Sequence, residues 1–235
     1  MKFGVVTFPG SNCDQDLIHV MRDVMHCEVV ELWHKQHDLG GLTTDDCVLL
    51  PGGFSYGDAL RTGSIARFSP IMGAVIAHCN KGGYALGICN GFQILCEAGL
   101  LPGVLLENAS QQFICKNIYL KADNNDNRMT ANIPLNKVLK IPMAHGEGRY
   151  YADEETLQQV INNGQVLFRY CDEEGNITDA ANPNGALDNI AGICNANRNV
   201  FGMMPHPERA SEEILKNTDG RLIFQSFLKG VPVAV

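Results

Sequence analysis

Tyr84-Ala85-Leu86-Gly87-Ile88-Cys89-Asn90-Gly91-Phe92-Gln93-Ile94-Leu95-Cys96-Glu97 is the stretch that decides the fold. Residues 84–88 form a short apolar run of strand type, and the pattern from Phe92 onward is helical. Cys89 stands at the switch, with Gly87 two positions before it and Gly91 two after. So tight a strand-to-helix turn has no room for side chains at the flanking positions, and the layout is that of a nucleophile elbow with cysteine in place of serine. The helix behind the turn favours thiolate over thiol, so the sulfur is expected to be exposed and activated. Cys79 and Cys96 lack the glycine bracket and read as buried small hydrophobes.

The same alternation continues on both sides of the elbow. Residues 3–8, 28–33 and 46–50 read as short apolar strands, with helical patterns over 14–25 and 70–81. Uninterrupted apolar strands separated by helices belong to a parallel sheet covered on both faces, so the expected fold is α/β and doubly wound. Residues 112–121, 137–143 and 165–170 follow as consecutive strands, which predicts antiparallel additions. Strands over 190–195 and 200–204 complete the core, and a helix over 219–228 closes the chain. Two Asn- and Asp-rich segments, 121–136 and 176–189, are expected to be long surface loops. One domain, 1–235, is expected, since 235 residues with 45% hydrophobic and 19% charged content fill one large α/β core.

A formal net charge of −8 leaves no basic stripe to neutralise phosphates, which excludes nucleic-acid binding and points to small molecules or other proteins. The nine cysteines have irregular spacing and no C-x-x-C pair, so no metal site or dithiol centre is expected. The odd cysteine count, the missing cationic-then-apolar leader and the lack of any apolar run near 18 residues predict a reducing cytoplasm and no membrane span.

A base for the thiol is sought after the last core strand, in Met204-Pro205-His206-Pro207-Glu208. In a parallel sheet this segment emerges at the carboxyl edge, where chemistry in open α/β sheets gathers. Each proline biases the residue before it toward extended backbone, and residues two apart on an extended chain project to one side, so His206 and Glu208 are expected to touch. A carboxylate on one imidazole nitrogen leaves the other free to work on the thiol, which makes Cys89, His206 and Glu208 a candidate triad. His145, in Ala144-His145-Gly146-Glu147-Gly148-Arg149, competes with His206, and this loop is assigned to substrate or interface contacts. An oxyanion hole is expected from the turn Pro51-Gly52-Gly53-Phe54-Ser55-Tyr56-Gly57-Asp58, through Gly53 or Phe54, together with the N–H of Asn90. No Gly-Lys-Ser or Gly-Lys-Thr follows, against a nucleotide loop, and residues 8–12 read as a plain turn.

Gly-x-Cys-x-Gly-x-Gln, a glycine-rich turn before it and His-Pro-Glu after it, in this chain order, resemble the triad-type class I glutamine amidotransferases over essentially the whole length. Pro9-Gly10-Ser11-Asn12-Cys13-Asp14, the 51–58 turn, the 144–149 loop and Pro205-His206-Pro207-Glu208-Arg209 look like the subgroup that serves a purine-pathway synthase. Where many class I domains have Leu-Gly-His-Gln after the cysteine, this chain has Asn90-Gly91-Phe92-Gln93, as the subgroup does. The resemblance implies a flavodoxin-like fold, hydrolysis of L-glutamine through a glutamyl thioester on Cys89, and Gln93 as a residue that orients the substrate. It implies no cofactor in this chain, and ammonia delivered to a large synthetase subunit that uses ATP and Mg, with a small bridging subunit. Ser55, Asp58, Arg61, His145, Glu147 and Arg149 are then expected at substrate or partner contacts. Rival readings are a class I glutaminase serving another synthase, a cysteine-peptidase or stress-protein relative, and a scaffolding module that keeps the elbow as a relic.

Overall fold

The computed structural model describes residues 1–229. The chain packs into two compact units, the first made of Met1–Pro102 with Asn199–Gly202, the second of Gly103–Arg198 with the chain from Met203 onward.

The first unit holds β1 (Phe3–Thr7), α1 (Asp14–His19), β2 (Val29–Trp33), β3 (Cys47–Leu50), α2 (Pro70–Asn80), β4 (Tyr84–Ile88) and α3 (Asn90–Glu97). Its strands lie in the order β2-β1-β3-β4, and β1 with β2, β1 with β3 and β3 with β4 all pair parallel. The continuous apolar runs are explained by burial on both faces: Val5, Val6, Leu49, Leu50 and Leu86 are inaccessible to solvent, and α1, α2 and α3 pack on these strands. The helical reading over 14–25 holds, with α1 passing into a π turn at Val20–Val24.

The second unit holds β5 (Val104–Glu107), β6 (Ile114–Ala122), β7 (Val138–His145), β8 (Glu147–Tyr151), α4 (Glu154–Asn162), β9 (Val166–Cys171) and β10 (Ile190–Cys194). β11 (Val200–Met203) belongs, apart from Met203, to the first unit and stands beside β4 in the strand order; α5 (Asp219–Lys229), in the second unit, closes the described chain. The expected antiparallel additions are present, in the order β10-β9-β6-β7. β5 and β8 form a separate antiparallel pair that sequence patterning passed over, because each is only four or five residues long. α4 was also passed over; Asp153 caps it, its carboxylate accepting from the Thr156 N–H at 2.8 Å.

Two expectations need correction. The segment over 121–136 is a loop beyond Ala122, as expected, but only part of it lies on the surface: Asp123, Asn125, Asp126, Asn132 and Asn136 are exposed, whereas Asn127, Met129, Thr130 and Ile133 are buried. The Asn127 amide donates to Thr130 Oγ1 at 2.6 Å and to Asn124 Oδ1 at 2.9 Å, so this one buried asparagine is satisfied within the loop. The stretch 144–149 is not one loop either, because β7 runs through His145 and β8 begins at Glu147. No helix among the described residues is long and apolar enough to cross a membrane.

Candidate active site

Cys89 is the N-cap of α3 and has φ +51° and ψ −108°. Positive φ at a residue other than glycine costs about 1–3 kcal/mol and persists only where its surroundings over-determine it. Those surroundings are the two glycines. A Cβ on Gly91 would sit 1.9 Å from the Leu50 carbonyl oxygen, and one on Gly87 would sit 2.5 Å from the Gly91 carbonyl carbon. The elbow can therefore form only because both positions lack side chains. The thiol is not exposed as expected: Cys89 is 5% accessible, because β4 is flanked by β3 and β11 and covered by α3.

Asn90 organises the surroundings of the elbow. Its side-chain oxygen accepts from the Ser55 N–H at 3.3 Å, and its amide nitrogen donates to Gln93 Oε1 at 3.0 Å and Asp58 Oδ1 at 3.4 Å. Ser55, Asp58, Asn90 and Gln93, expected separately, are thus brought together next to Cys89, with Ser55, Asn90 and Gln93 buried. The Ser55 hydroxyl oxygen is buried and has no hydrogen-bond partner among the described residues. Arg61 is not brought here. It pairs with Glu97 at 2.7 Å, at the far end of α3, about 10 Å along the helix from the elbow.

The glycine-rich turn lies against residues 9–13. Ser11 and Gly53 form an isolated antiparallel bridge, and the Tyr56 N–H donates to the Pro9 carbonyl at 2.6 Å. The Phe54 N–H donates to the Gly10 carbonyl at 3.0 Å, so in this arrangement it is committed within the turn. Gly53 has φ +131°. The 8–12 segment serves as a turn that buttresses the next one, in line with its reading as a plain turn.

In the second unit, His206 and Glu208 are 2% accessible and joined by a hydrogen bond of 2.6 Å between Nδ1 and Oε1. An ionised carboxylate only accepts, so Nδ1–H donates and Nε2 is the nitrogen that can take or give a proton. The contact was expected from extended backbone. His206 is indeed non-helical, at φ −102° and ψ 87°, but Pro207–Ala210 form a 3₁₀ turn that carries Glu208 back onto the ring. The His206 N–H donates to the Pro142 carbonyl at 2.8 Å, which hangs the pair on β7.

His145, at the end of β7, is 3% accessible, and burial first and the neighbouring His206 second push its pKa down to about 3. Its Nδ1 meets Asn108 Oδ1 at 2.9 Å. Asn184 holds the next strand by donating to the Gly148 carbonyl at 2.9 Å. Glu147 and Arg149 lie in β8, where Arg149 Nε donates to the Glu107 carbonyl at 2.9 Å and staples β5 to β8. Sequence reasoning missed Asn108 and Asn184, whose partners are 36 or 37 residues away and leave no local signal. Of the bland cysteines, Cys79 is buried and its thiol is pushed up to about 12 by desolvation. No disulfide joins any of the nine cysteines.

A strained cysteine at a glycine-bracketed elbow and a buried histidine-carboxylate pair are the parts of an acyl-transfer enzyme with a cysteine nucleophile. Residues 1–224 match the model of the CobB/CobQ-like glutamine amidotransferase domain. The chain is 55% identical over 228 residues to the phosphoribosylformylglycinamidine synthase subunit PurQ of Moorella thermoacetica, covering 97% of this chain and 95% of that protein. It is 52% identical to the protein of the same name from Salinibacter ruber, covering 99% and 97%. Among solved structures it resembles a chain in the PurLQS structure from Thermotoga maritima, with TM-score 0.84, 39% identity and 97% of both chains covered. A second Thermotoga maritima structure, a glutamine amidotransferase, shares the fold at TM-score 0.54 and 14% identity, covering 97% and 90%. The chain belongs to the glutamine amidotransferase family that these relatives represent.

Proposed function

We propose that this chain is the glutaminase subunit of phosphoribosylformylglycinamidine synthase. The observation that carries the reading is the strained, glycine-bracketed Cys89 in a chain 55% identical, over nearly its full length, to a relative of that name. The Cys89 sulfur attacks the side-chain carbonyl of L-glutamine, and the oxyanion is held by the Asn90 N–H together with the N–H of Gly53 or Phe54. His206, oriented by Glu208, takes the Cys89 thiol proton on Nε2 and passes it to the departing nitrogen, so the C–N bond breaks and ammonia leaves a glutamyl thioester. His206 then takes a proton from water, which cleaves the thioester to glutamate. Gln93, held through Asn90, orients the substrate.

The ammonia goes to a separate large synthetase subunit, which uses ATP and Mg to convert formylglycinamide ribonucleotide to formylglycinamidine ribonucleotide. A small bridging subunit completes the complex. This chain needs no cofactor of its own, acts in the cytoplasm, and works as one glutaminase domain, in keeping with a family match that spans both compact units. Because the Phe54 N–H is committed to Gly10, the oxyanion turn reaches its working form when the partner docks.

The deciding experiment is trapping of labelled glutamyl thioester by the wild-type and Cys89→Ala chains, each with and without the synthetase and bridging subunits. Partner-stimulated hydrolysis that disappears in Cys89→Ala is expected, with a loss of roughly 10⁴-fold or more. Absence of thioester under every condition removes the reading.

A further inference from the structure

Tyr56 lies in the glycine-rich turn, in the same compact unit as Cys89, and the reaction above gives it no part. Its backbone is left-handed, at φ +55° and ψ +27°, and Asp58 and Leu60 follow at φ +51° and +72°. Positive φ at three residues other than glycine within five positions is strain, and strain of this kind persists only where the surroundings impose it. On the side facing the elbow the hold is weak: the bonds from the Ser55 N–H to Asn90 and from the Asn90 amide to Asp58 are 3.3 and 3.4 Å long. The short bonds belong to Tyr56. Its N–H donates to the Pro9 carbonyl at 2.6 Å, and its hydroxyl lies 2.7 Å from His34 Nδ1 and 2.8 Å from Ser69 Oγ.

Both side-chain partners are buried and fixed. The His34 N–H donates to the Thr7 carbonyl at the end of β1, and the His34 carbonyl accepts from the Ile71 N–H in the first turn of α2, each at 3.1 Å. Burial first, and Lys35 second, hold the His34 pKa below its ordinary 6.5, so the ring is neutral at pH 7 and Nδ1 either accepts or donates. A hydroxyl serves both cases, donating to one partner while accepting from the other, and a phenyl ring serves neither. The Tyr56 ring is only half-buried and meets the His34 ring edge-on at 5.7 Å, so the hydroxyl rather than the bulk of the side chain makes the connection.

That connection reaches the oxyanion donors. The Gly57 N–H, next to Tyr56, donates to the Phe54 carbonyl at 2.8 Å, and Gly53 is bridged to Ser11. Gly53 and Phe54 thus sit on a short span between the residue 9–11 turn and the Tyr56 anchor, and a donor misplaced by about 1 Å loses on the order of a hundredfold in rate.

Resting on the glutaminase reading, we propose that Tyr56 is a positioning residue: its hydroxyl, tied to His34 and Ser69, holds the strained turn so that, in the docked complex, the N–H of Gly53 or Phe54 meets the oxyanion formed at Cys89. Tyr56 touches no reacting atom and acts through the backbone of the turn.

The test measures glutamine hydrolysis by the full chain with its synthetase and bridging subunits, for wild type, Tyr56→Phe, Ser69→Ala and the double variant. Beside it runs the rate at which iodoacetamide alkylates Cys89, read from peptide masses; the sulfur displaces iodide at a saturated carbon and no oxyanion forms, so this rate reports the thiol alone. Tyr56→Phe is expected to lower kcat between about tenfold and a hundredfold, with KM within about twofold and alkylation unchanged. Ser69→Ala gives a smaller loss, and the double variant loses no more than Tyr56→Phe alone, because the two groups act as one unit. Additive losses overturn the proposal, as do unchanged kinetics. An equal slowing of alkylation overturns it in favour of a disturbed elbow, and a rise in KM at constant kcat overturns it in favour of a substrate contact. A wild-type complex inert toward glutamine removes the glutaminase reading and this one with it, whereas the other adverse outcomes remove this one alone. Should Tyr56→Phe not fold, Ser69→Ala carries the same comparison.

Discussion

At the scale of single residues, the chemistry depends on small distances. Glu208 Oε1 holds His206 Nδ1 at 2.6 Å, and this bond sets which imidazole nitrogen works. Glu208→Gln keeps the size but removes the charge that supports the imidazolium, so kcat for glutamine hydrolysis should fall about 10²- to 10⁴-fold with stability little changed, read from steady-state rates beside a melting curve. His145 gives a second, purely thermodynamic prediction. Its ordinary pKa is 6.5 in the unfolded chain and about 3 in the folded one, so below pH 6.5 the unfolded state binds a proton that the native state refuses. Stability contributed at neutral pH is therefore lost as pH falls from 6.5 toward 3, by about 2 kcal/mol between pH 6.5 and 5. Denaturant titrations of wild type and His145→Leu across that range should show the slope in the first and its loss in the second.

At the scale of elements, the elbow is a contract between β4, α3 and β3. Gly91 brings the first turn of α3 against the Leu50 carbonyl, where a Cβ would lie at 1.9 Å. Gly91→Ala must push α3 off β3, and we expect a stability loss of about 1–3 kcal/mol, the range for overpacking a tight core, together with loss of thioester formation. Chemical denaturation and thioester trapping on the same sample separate the two effects. The strand and helix order was legible in the sequence because apolar periodicity and glycine punctuation are local signals. β5, β8 and α4 were missed for the same reason: the strands are too short to show a period, and α4 has a single fully buried residue, Val160. The loop over 121–136 was legible from its asparagines and aspartates, but the burial of Asn127 within it was not, since a buried asparagine looks like a solvated one until its partners are known.

At the scale of the whole molecule, the proposed reaction draws on the strained Cys89, the His206-Glu208 pair and the turn over 51–58, whose Phe54 N–H is occupied by Gly10. Glutamine hydrolysis by the isolated chain should therefore be slow and rise at least about tenfold when the synthetase and bridging subunits are added, since one competent oxyanion donor is worth roughly 3 kcal/mol. Full turnover by the chain alone would count against a docking-dependent turn. Initial rates with each subunit added in turn give the answer directly.

The sequence by itself determined the α/β alternation, the elbow at Cys89, the His206-Glu208 pairing and the family, because each is written in residues a few positions apart. Only the tertiary structure decided that Cys89 is enclosed, that Asn90 gathers Ser55, Asp58 and Gln93, that Arg61 is held away at Glu97, and that Asn108 meets the His145 ring. Those outcomes depend on contacts spanning 32 to 37 residues, apart from the Asn90–Gln93 bond within α3 and the enclosure of Cys89 itself. Burial and hydrogen-bond satisfaction at such separations are properties of the packed chain, and no local pattern encodes them.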